Sequence, residues 1–429
     1  MDDIVCNRCS LLCDDVLAQI SDFETKSLGL CRLGHTHLER VAHLSKTDAI
    51  SRKNGVENSL NLDEAITMAA ETLISAKHPL LYGWSRCTNE TISEGLSLAK
   101  TLKAVFDSSA SMGLSQSMSH NIHNMKLETD LEAVQNNGEF IIYWGSNPVE
   151  SSHRHASRFT VFPRGENVPQ GVESRIIGVV DVIETETMKM GNHRIIIPHG
   201  GDSELARALI DDLTGKTPLK TPILDLPAAT LVGISQALRK SDFTVIFYGS
   251  GIVNSGKTVE NLSLLAELIQ TLRGLGKNAY AMPMWHEPSD MGVIRSSKNL
   301  TSTHLAIDFA SGKPTQLSAK TTLQRLTAKE FDVVFVVGTD AFAVLPGQAA
   351  RGLTSSNIIY VGSGGSLIDQ RAQLSLRVAD DIMSASGYMT RIDMKDIQLK
   401  SWSGSKLASQ NVFDVITRLH RLIKARLKD

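Results

Sequence analysis

The sequence predicts a doubly wound α/β fold with mainly parallel sheets, preceded by a small cysteine-bearing segment. Three observations carry this. Short, continuous apolar runs recur along the chain. Amphipathic stretches of helical period separate them. Four of the five cysteines lie within the first 31 of 429 residues.

The apolar runs are His78 to Gly83, Phe140 to Gly145, Arg175 to Asp181, Phe243 to Gly249, Val333 to Gly338 and Asn357 to Gly362. About five continuous apolar, β-branched residues suit a strand buried on both faces, as in a parallel sheet. Between the runs, Asn61 to Ala76 sets Leu62, Ala65, Ile66, Ala69, Ala70, Leu73 and Ile74 on one helical stripe. Glu90 to Val105 and Asn261 to Leu275 behave similarly. Strands alternating with helices make βαβ units, whose crossovers are right-handed.

In an open parallel sheet, ligands bind beyond the carboxyl ends of the strands. Those ends carry Gly83-Trp84-Ser85, Gly145-Ser146-Asn147-Pro148, Gly249-Ser250-Gly251 and Gly338-Thr339-Asp340. Small, polar loops of this kind leave backbone N–H groups for a phosphate or another anion. Each alone reads more readily as a tight turn; the four together point to a nucleotide-type crevice.

The cysteines follow the spacing Cys6-x2-Cys9-x3-Cys13, then seventeen residues, then Cys31. Four thiolates brought together suit either a [4Fe–4S] cluster or a structural zinc. Three within eight residues favour a loop wrapped around a compact cluster, whereas zinc ribbons use two separated CxxC pairs. Cys87 stands apart after a strand and reads as a structural cysteine.

Bulk properties exclude several classes. With 44 basic and 46 acidic residues there is no cationic excess to serve a polyphosphate backbone, so nucleic acid is not an expected partner. The start, Met1-Asp2-Asp3, lacks the positive and long apolar segments of a secretory signal. The longest apolar runs are far too short to span a membrane. A cytoplasmic location follows as the expectation, and a clustered set of cysteines there points to metal rather than disulfides.

Several stretches carry a resemblance. They are Cys9-Ser10-Leu11-Leu12-Cys13-Asp14-Asp15, Cys31-Arg32-Leu33-Gly34, Tyr82-Gly83-Trp84-Ser85, and Tyr143-Trp144-Gly145-Ser146-Asn147-Pro148 leading into His153-Arg154-His155. Tyr248-Gly249-Ser250-Gly251, Ala281-Met282-Pro283-Met284 and Gly387-Tyr388-Met389-Thr390-Arg391-Ile392-Asp393 continue it. Together they resemble the molybdenum and tungsten bis-pterin oxidoreductases, and most of all the family of the formylmethanofuran dehydrogenase B-type subunit. The resemblance implies a small Cys-cluster domain at residues 1–50 and two Rossmann-like domains. One is discontinuous, at 51–135 and 325–429, and the other is inserted at 136–324. The spacing makes Cys6, Cys9, Cys13 and Cys31 the candidate ligands of a [4Fe–4S] cluster, with zinc or unmetallated thiols as the alternatives, and the resemblance implies that Gly145, Ser146, Asn147, His153, Arg154 and His155 face a cofactor crevice.

The chain departs from the family where chemistry is done. In metal-using relatives a Cys-His pair follows a small-residue segment, and its cysteine ligates molybdenum or tungsten. The matching segment here is Asp107 to Ser115, with Gly113-Leu114 at that place, and neither residue ligates a metal or moves a proton. His120 and His123 lie downstream but supply no thiolate. Relatives also show Val-Val-Asp-Pro-Arg where this chain has Val180-Asp181-Val182-Ile183-Glu184, which removes a turn and a phosphate-holding cation. The loop Gly362-Ser363-Gly364-Gly365 is likewise uncharged.

A molybdopterin or tungstopterin is therefore not expected, nor any catalytic residue of the chain's own. The pattern resembles the family's bacterial branch, the formyltransferase/hydrolase complex of methanopterin-dependent formaldehyde oxidation. That implies a redox-silent B-type subunit, with A-, C- and D-type subunits and a furan-type formyl carrier as partners. The alternative is an active molybdenum or tungsten formylmethanofuran dehydrogenase subunit.

Two further features are read as structural. Trp285-His286-Glu287 pairs a histidine with a carboxylate, but adjacent residues point apart and surface exposure is expected. Arg418 to Lys428 forms a basic amphipathic helix packed by Leu419, Leu422, Ile423 and Leu427, with a face suited to a partner subunit.

Overall fold

The apolar runs become strands, numbered along the chain, in a computed structural model that describes residues 1–20, 24–44, 48–112, 129–285, 287–317, 320–381, 386–400 and 410–428. The chain divides into two compact units. The first comprises Met1–Met112, Glu287–Arg391 and Asp396–Asp429, and the second Gly113–His286 and Ile392–Lys395.

In the first unit, β6 (Pro79–Gly83) and β15 (Val333–Val337) are buried along their whole length, as continuous apolarity demands. They lie side by side and parallel, Gly83 opposite Val337. β7 (Val105–Asp107) continues the parallel array on one side, and β16 (Asn357–Gly362) and β17 (Leu374–Arg377) on the other. Antiparallel additions, β4 (Asp48–Lys53) with β5 (Val56–Leu60) and the short β13 (Ile307–Asp308) with β14 (Thr315–Gln316), extend the sheet to nine strands. One face packs Leu80, Tyr82, Val334, Val336, Ile358 and Tyr360 against Phe331, Leu353 and Ile368.

Helix α1 spans Arg32–Leu44, α2 Leu62–Ser75 and α3 Asn89–Leu102. A reciprocal capping box starts α2: the Asn61 side chain accepts from Glu64 N, and Glu64 accepts from Asn61 N. Helix α3 stops earlier than the apolar period suggested, because Lys103 turns left-handed at φ 54° and releases the chain into β7. A Cβ at Gly95 would meet the Trp84 ring at 2.4 Å, so a glycine is needed for α3 to cross that buried indole.

The C-terminal helix (Val412–Arg426) buries Val412, Val415, Ile416, Leu419, His420 and Ile423. It lies on α2 and α3, with Arg426 bonded to Glu71 at 2.9 Å, His420 Nδ1 to Glu94 at 2.6 Å and His420 Nε2 to Thr101 at 2.9 Å. Its apolar stripe is thus covered by this chain rather than left for a partner. The stripe runs through residue 412, not Leu427, which is 52% exposed.

The second unit holds a five-stranded, wholly parallel sheet. Its members are β8 (Phe140–Trp144), β9 (Ile176–Asp181), β10 (His193–Ile196), β11 (Phe243–Tyr248) and β12 (Asn278–Pro283), in the order β10-β9-β8-β11-β12. Among the described residues no helix is long and apolar enough to cross a membrane.

The small lobe at the N-terminus is a three-stranded antiparallel sheet of β1 (Asp2–Cys6), β2 (Cys13–Ile20) and β3 (Thr25–Leu28). Val5 and Leu12 pack it against Met389, Ile397 and Leu399, which belong to the hairpin β18 (Tyr388–Thr390) and β19 (Asp396–Gln398) and its extension.

Candidate functional site

The cysteine lobe gathers its four thiols through backbone geometry. Cys6 and Cys13 are directly opposed across β1 and β2, with a register irregularity between Ile4 and Cys6. Between them the chain reverses through Leu12, whose φ of 42° is unusual for a branched residue and whose N–H returns to the Cys9 carbonyl at 3.2 Å. Cys31 immediately precedes α1, accepts the His35 N–H through its carbonyl, and receives the Gly34 N–H on Sγ at 3.4 Å.

A Cβ on Gly34 would stand 3.0 Å from Cys6 Sγ and 3.8 Å from Cys31 Sγ, so the missing side chain leaves room beside both sulfurs. Burial first, and then the neighbouring cysteines, push the Cys6 thiol well up and the Cys9 thiol to about 12. The thiols are gathered but not closed: among the described residues no three His, Cys, Asp or Glu side chains are set to hold a single metal ion.

A polar chain ties this loop to the first unit's large sheet. Asn7, fully buried between Cys6 and Cys9, donates Nδ2 to Asp380 Oδ1 at 2.8 Å. Its Oδ1 faces His37 Nε2 of α1 at 2.9 Å. Burial keeps His37 neutral, its pKa down at about 3, although the Asp380 charge opposes that shift. Asp381, beside it, accepts the Thr88 N–H at the start of α3.

The glycine loops singled out from sequence fall at two equivalent places. In the first unit β6 and β15 are neighbours where strand order reverses, and in the second β8 and β11 are. These are the switch points at which such sheets bind ligands.

At the β8/β11 end the loops close on each other. Gly145 N–H goes to Val180 O, Gly249 N–H to Trp144 O and Gly251 N–H to Gly145 O, at 2.8–3.0 Å. The N–H groups expected to stay open for an anion at these glycines are therefore used by the chain's own carbonyls. Ser146 Oγ donates to Phe247 O at 3.0 Å. Asn147 Oδ1 accepts from Thr187 N and Oγ1. His155 lies in the core, its Nδ1 3.1 Å from Tyr143 OH and its ring edge-on to Phe247; burial holds its pKa at about 3. His153 and Arg154 are half-buried.

At the β6/β15 end the picture differs. Trp84 N–H and Gly338 N–H are also bonded, to Val337 O and Val361 O. Yet Tyr82 OH, Trp84 Nε1, Arg86 Nη2 and Thr339 Oγ1 are buried without a hydrogen-bond partner, as is Ser289 Oγ nearby. Arg86 Nη1 donates to Glu287 Oε2 at 3.0 Å, both side chains being mostly buried. Glu287 N–H reaches Asp290 Oδ2 at 3.2 Å. Burial, then the Glu287 charge, lifts Asp290 to about 7; burial lifts Asp107, at the end of β7, to about 6.

The exposure expected for Trp285 and Glu287 is corrected: Trp285 is buried and Glu287 is an ion-pair partner, because both follow the end of a core strand. Arg86 and Asp290 were missed. Arg86 follows a loop that the sequence did mark, whereas nothing local marked Asp290. Gly113, Leu114, His120, His123 and His286 lie outside the described residues.

No protein-family model matches the chain. It is 27% identical over 406 residues to the B-type subunit of tungsten-containing formylmethanofuran dehydrogenase 2 from Methanocaldococcus jannaschii, covering 93% of this chain and 92% of that protein. It is 26% identical over 410 residues to the same-named protein of Methanococcus maripaludis, covering 93% of each. Among solved structures it matches a chain of the formyltransferase/hydrolase complex of Methylorubrum extorquens, solved with methylofuran. That match has a TM-score of 0.66 and 17% identity, and covers 89% of this chain and all of that one. Acetylene hydratase from Pelobacter acetylenicus matches with a TM-score of 0.67 and 11% identity, over 98% of this chain and 69% of that one. These two likenesses show a shared fold.

Proposed function

We propose that this chain, a homologue of the formylmethanofuran dehydrogenase B-type subunit, is the redox-silent, structural member of that type in a formyltransferase/hydrolase complex. Its setting is methanopterin-dependent one-carbon metabolism in the cytoplasm, in which formaldehyde is taken to formate. The observation that carries this reading is Gly113-Leu114, standing where metal-using relatives place a Cys-His pair. Likeness along nearly the whole chain to a component of a formyltransferase/hydrolase complex supports it. So does the β8/β11 end, whose glycine N–H groups are engaged within the protein and do not fit a pterin phosphate. On this reading the partners are A-, C- and D-type subunits, and the furan-type carrier is served through them.

The four thiols fit a [4Fe–4S] cluster: they are gathered, mutually interacting, and flanked by the space that Gly34 leaves. Cys6, Cys9, Cys13 and Cys31 would hold it, and when bound it supplies a structural staple. Burial keeps protons on Cys6 and Cys9 without metal, so loading releases protons and strengthens as pH rises.

The test is purification with native partners, followed by elemental analysis and a formyl-hydrolysis assay. The expected result is no molybdenum or tungsten, about four irons per chain, and hydrolysis by the associated subunits. Stoichiometric molybdenum or tungsten would overturn the reading in favour of an active dehydrogenase. About one zinc per chain would replace the cluster by a structural zinc.

A further inference from the structure

We propose that Asp380, acting through Asn7 and His37, is a positioning residue for the metal held by the N-terminal cysteines. The inference rests on the reading of Cys6, Cys9, Cys13 and Cys31 as ligands and extends it to residues outside the cysteine motif.

The geometry runs in one direction. Asp380 Oδ1 accepts the Asn7 amide at 2.8 Å, and the Asn7 oxygen is 2.9 Å from His37 Nε2. Asn7 cannot turn its amide over, since that would set its oxygen against the Asp380 carboxylate. His37 therefore carries its proton on Nε2 and donates to Asn7. One carboxylate thus fixes an amide orientation and a histidine tautomer at once.

Each member joins a different part of the site. Asn7 is the residue after Cys6 and two before Cys9, and it is wholly buried. His37 lies on α1, the helix that Cys31 precedes. Asp380 follows β17 of the nine-stranded sheet. The two separated cysteine segments are thereby referred to one point beside the nine-stranded sheet. Asp381 fixes that point in turn, by accepting the Thr88 N–H that opens α3 at 3.2 Å. Outer partners of this kind hold ligand groups in place, and their loss weakens metal binding by about 10–100-fold. The half-buried Asp380 carboxylate also carries negative charge beside the site, which favours the oxidised form of a bound cluster.

The experiment uses the full chain with its partner subunits, prepared without oxygen and loaded with iron and sulfide. The variants are N7A, D380A and the isosteric D380N, which keeps an oxygen to accept from Asn7 but removes the charge. The readouts are the chelator concentration that strips half the iron, the cluster's spectrum and its midpoint potential. Circular dichroism melting serves as the check on folding.

N7A and D380A are expected to lose iron at about 10-fold lower chelator with an unchanged melt of the body. D380N is expected to retain iron like the natural chain while its midpoint potential rises. If all three variants match the natural chain in chelator resistance and potential, the positioning role is overturned and the cluster reading stands. If the natural chain itself takes up no iron, the cluster reading has failed and the role falls with it. If D380A unfolds, N7A decides alone: chelator resistance equal to that of the natural chain overturns the proposal.

Discussion

Both sheets are tight where their strand order reverses, and beyond that point they diverge. In the second unit a Cβ on Gly249 would sit 2.3 Å from Gly145 O, and Gly251 is bonded to Gly145. In the first unit a Cβ on Gly338 would meet nothing nearer than 3.4 Å, and four buried polar atoms at that end lack partners. One reversal point is filled by its own backbone, although His155 Nε2 beside it lacks a partner, while the other keeps several polar groups that water or a ligand must satisfy. The same topology does not, then, guarantee the same binding capacity; the loops decide.

The sharpest way to break this comparison is a pair of matched substitutions. Gly249→Ala is expected to cost about 3 kcal/mol, because backbone cannot yield to the added carbon. Gly338→Ala is expected to cost about 1 kcal/mol, from its φ of 69° alone. Denaturant unfolding measures both, and equal costs would mean that the two ends are alike.

Arg86→Met tests the polar end next. It strands a mostly buried Glu287 and is expected to cost about 3 kcal/mol. The double variant Arg86→Met with Glu287→Met is expected to recover most of that in a mutant cycle. Failure to recover would show that Arg86 acts through other groups.

The closed end has a pH signature. His155 has a folded pKa of about 3 against an ordinary 6.5, so the unfolded chain binds the extra proton first. Its contribution to stability is complete above about pH 6.5 and is lost progressively as pH falls toward 3. His155→Gln is expected to flatten the acid side of a pH–stability profile. An unchanged slope in that window would show that His155 is not held neutral.

The smallest effect is expected away from both ends. Arg207 and Glu267 form a paired contact at 2.7–2.8 Å, but each is 44% exposed. Arg207→Ala is expected to cost under about 1 kcal/mol and less at high salt. A larger loss in urea unfolding would mean that surface pairs, not the reversal points, set the unit's stability.

Much of this was legible in the sequence. Strand runs such as Val333 to Val337 and the α2 stripe depend on residues within one turn or one strand, and the cysteine spacing is local too. Which glycine loops would meet was not legible. Gly145 and Gly251 are brought together by the order of strands in a sheet, and that order is set by packing over a hundred residues. His153-Arg154-His155 reads as one polar motif, yet the fold buries His155 among Tyr143 and Phe247 and leaves its two neighbours half-buried. Asp380, 373 residues from Asn7, carried no local signal at all.

By itself the sequence determined the βα alternation and the clustering of four cysteines near its start, because each needs only residue type, period and spacing. Only the tertiary structure decided that one reversal point closes, that the other keeps unpartnered polar groups, and that Asp380 reaches the cysteine loop. Those outcomes depend on distances between segments remote in the chain, and no local pattern encodes them.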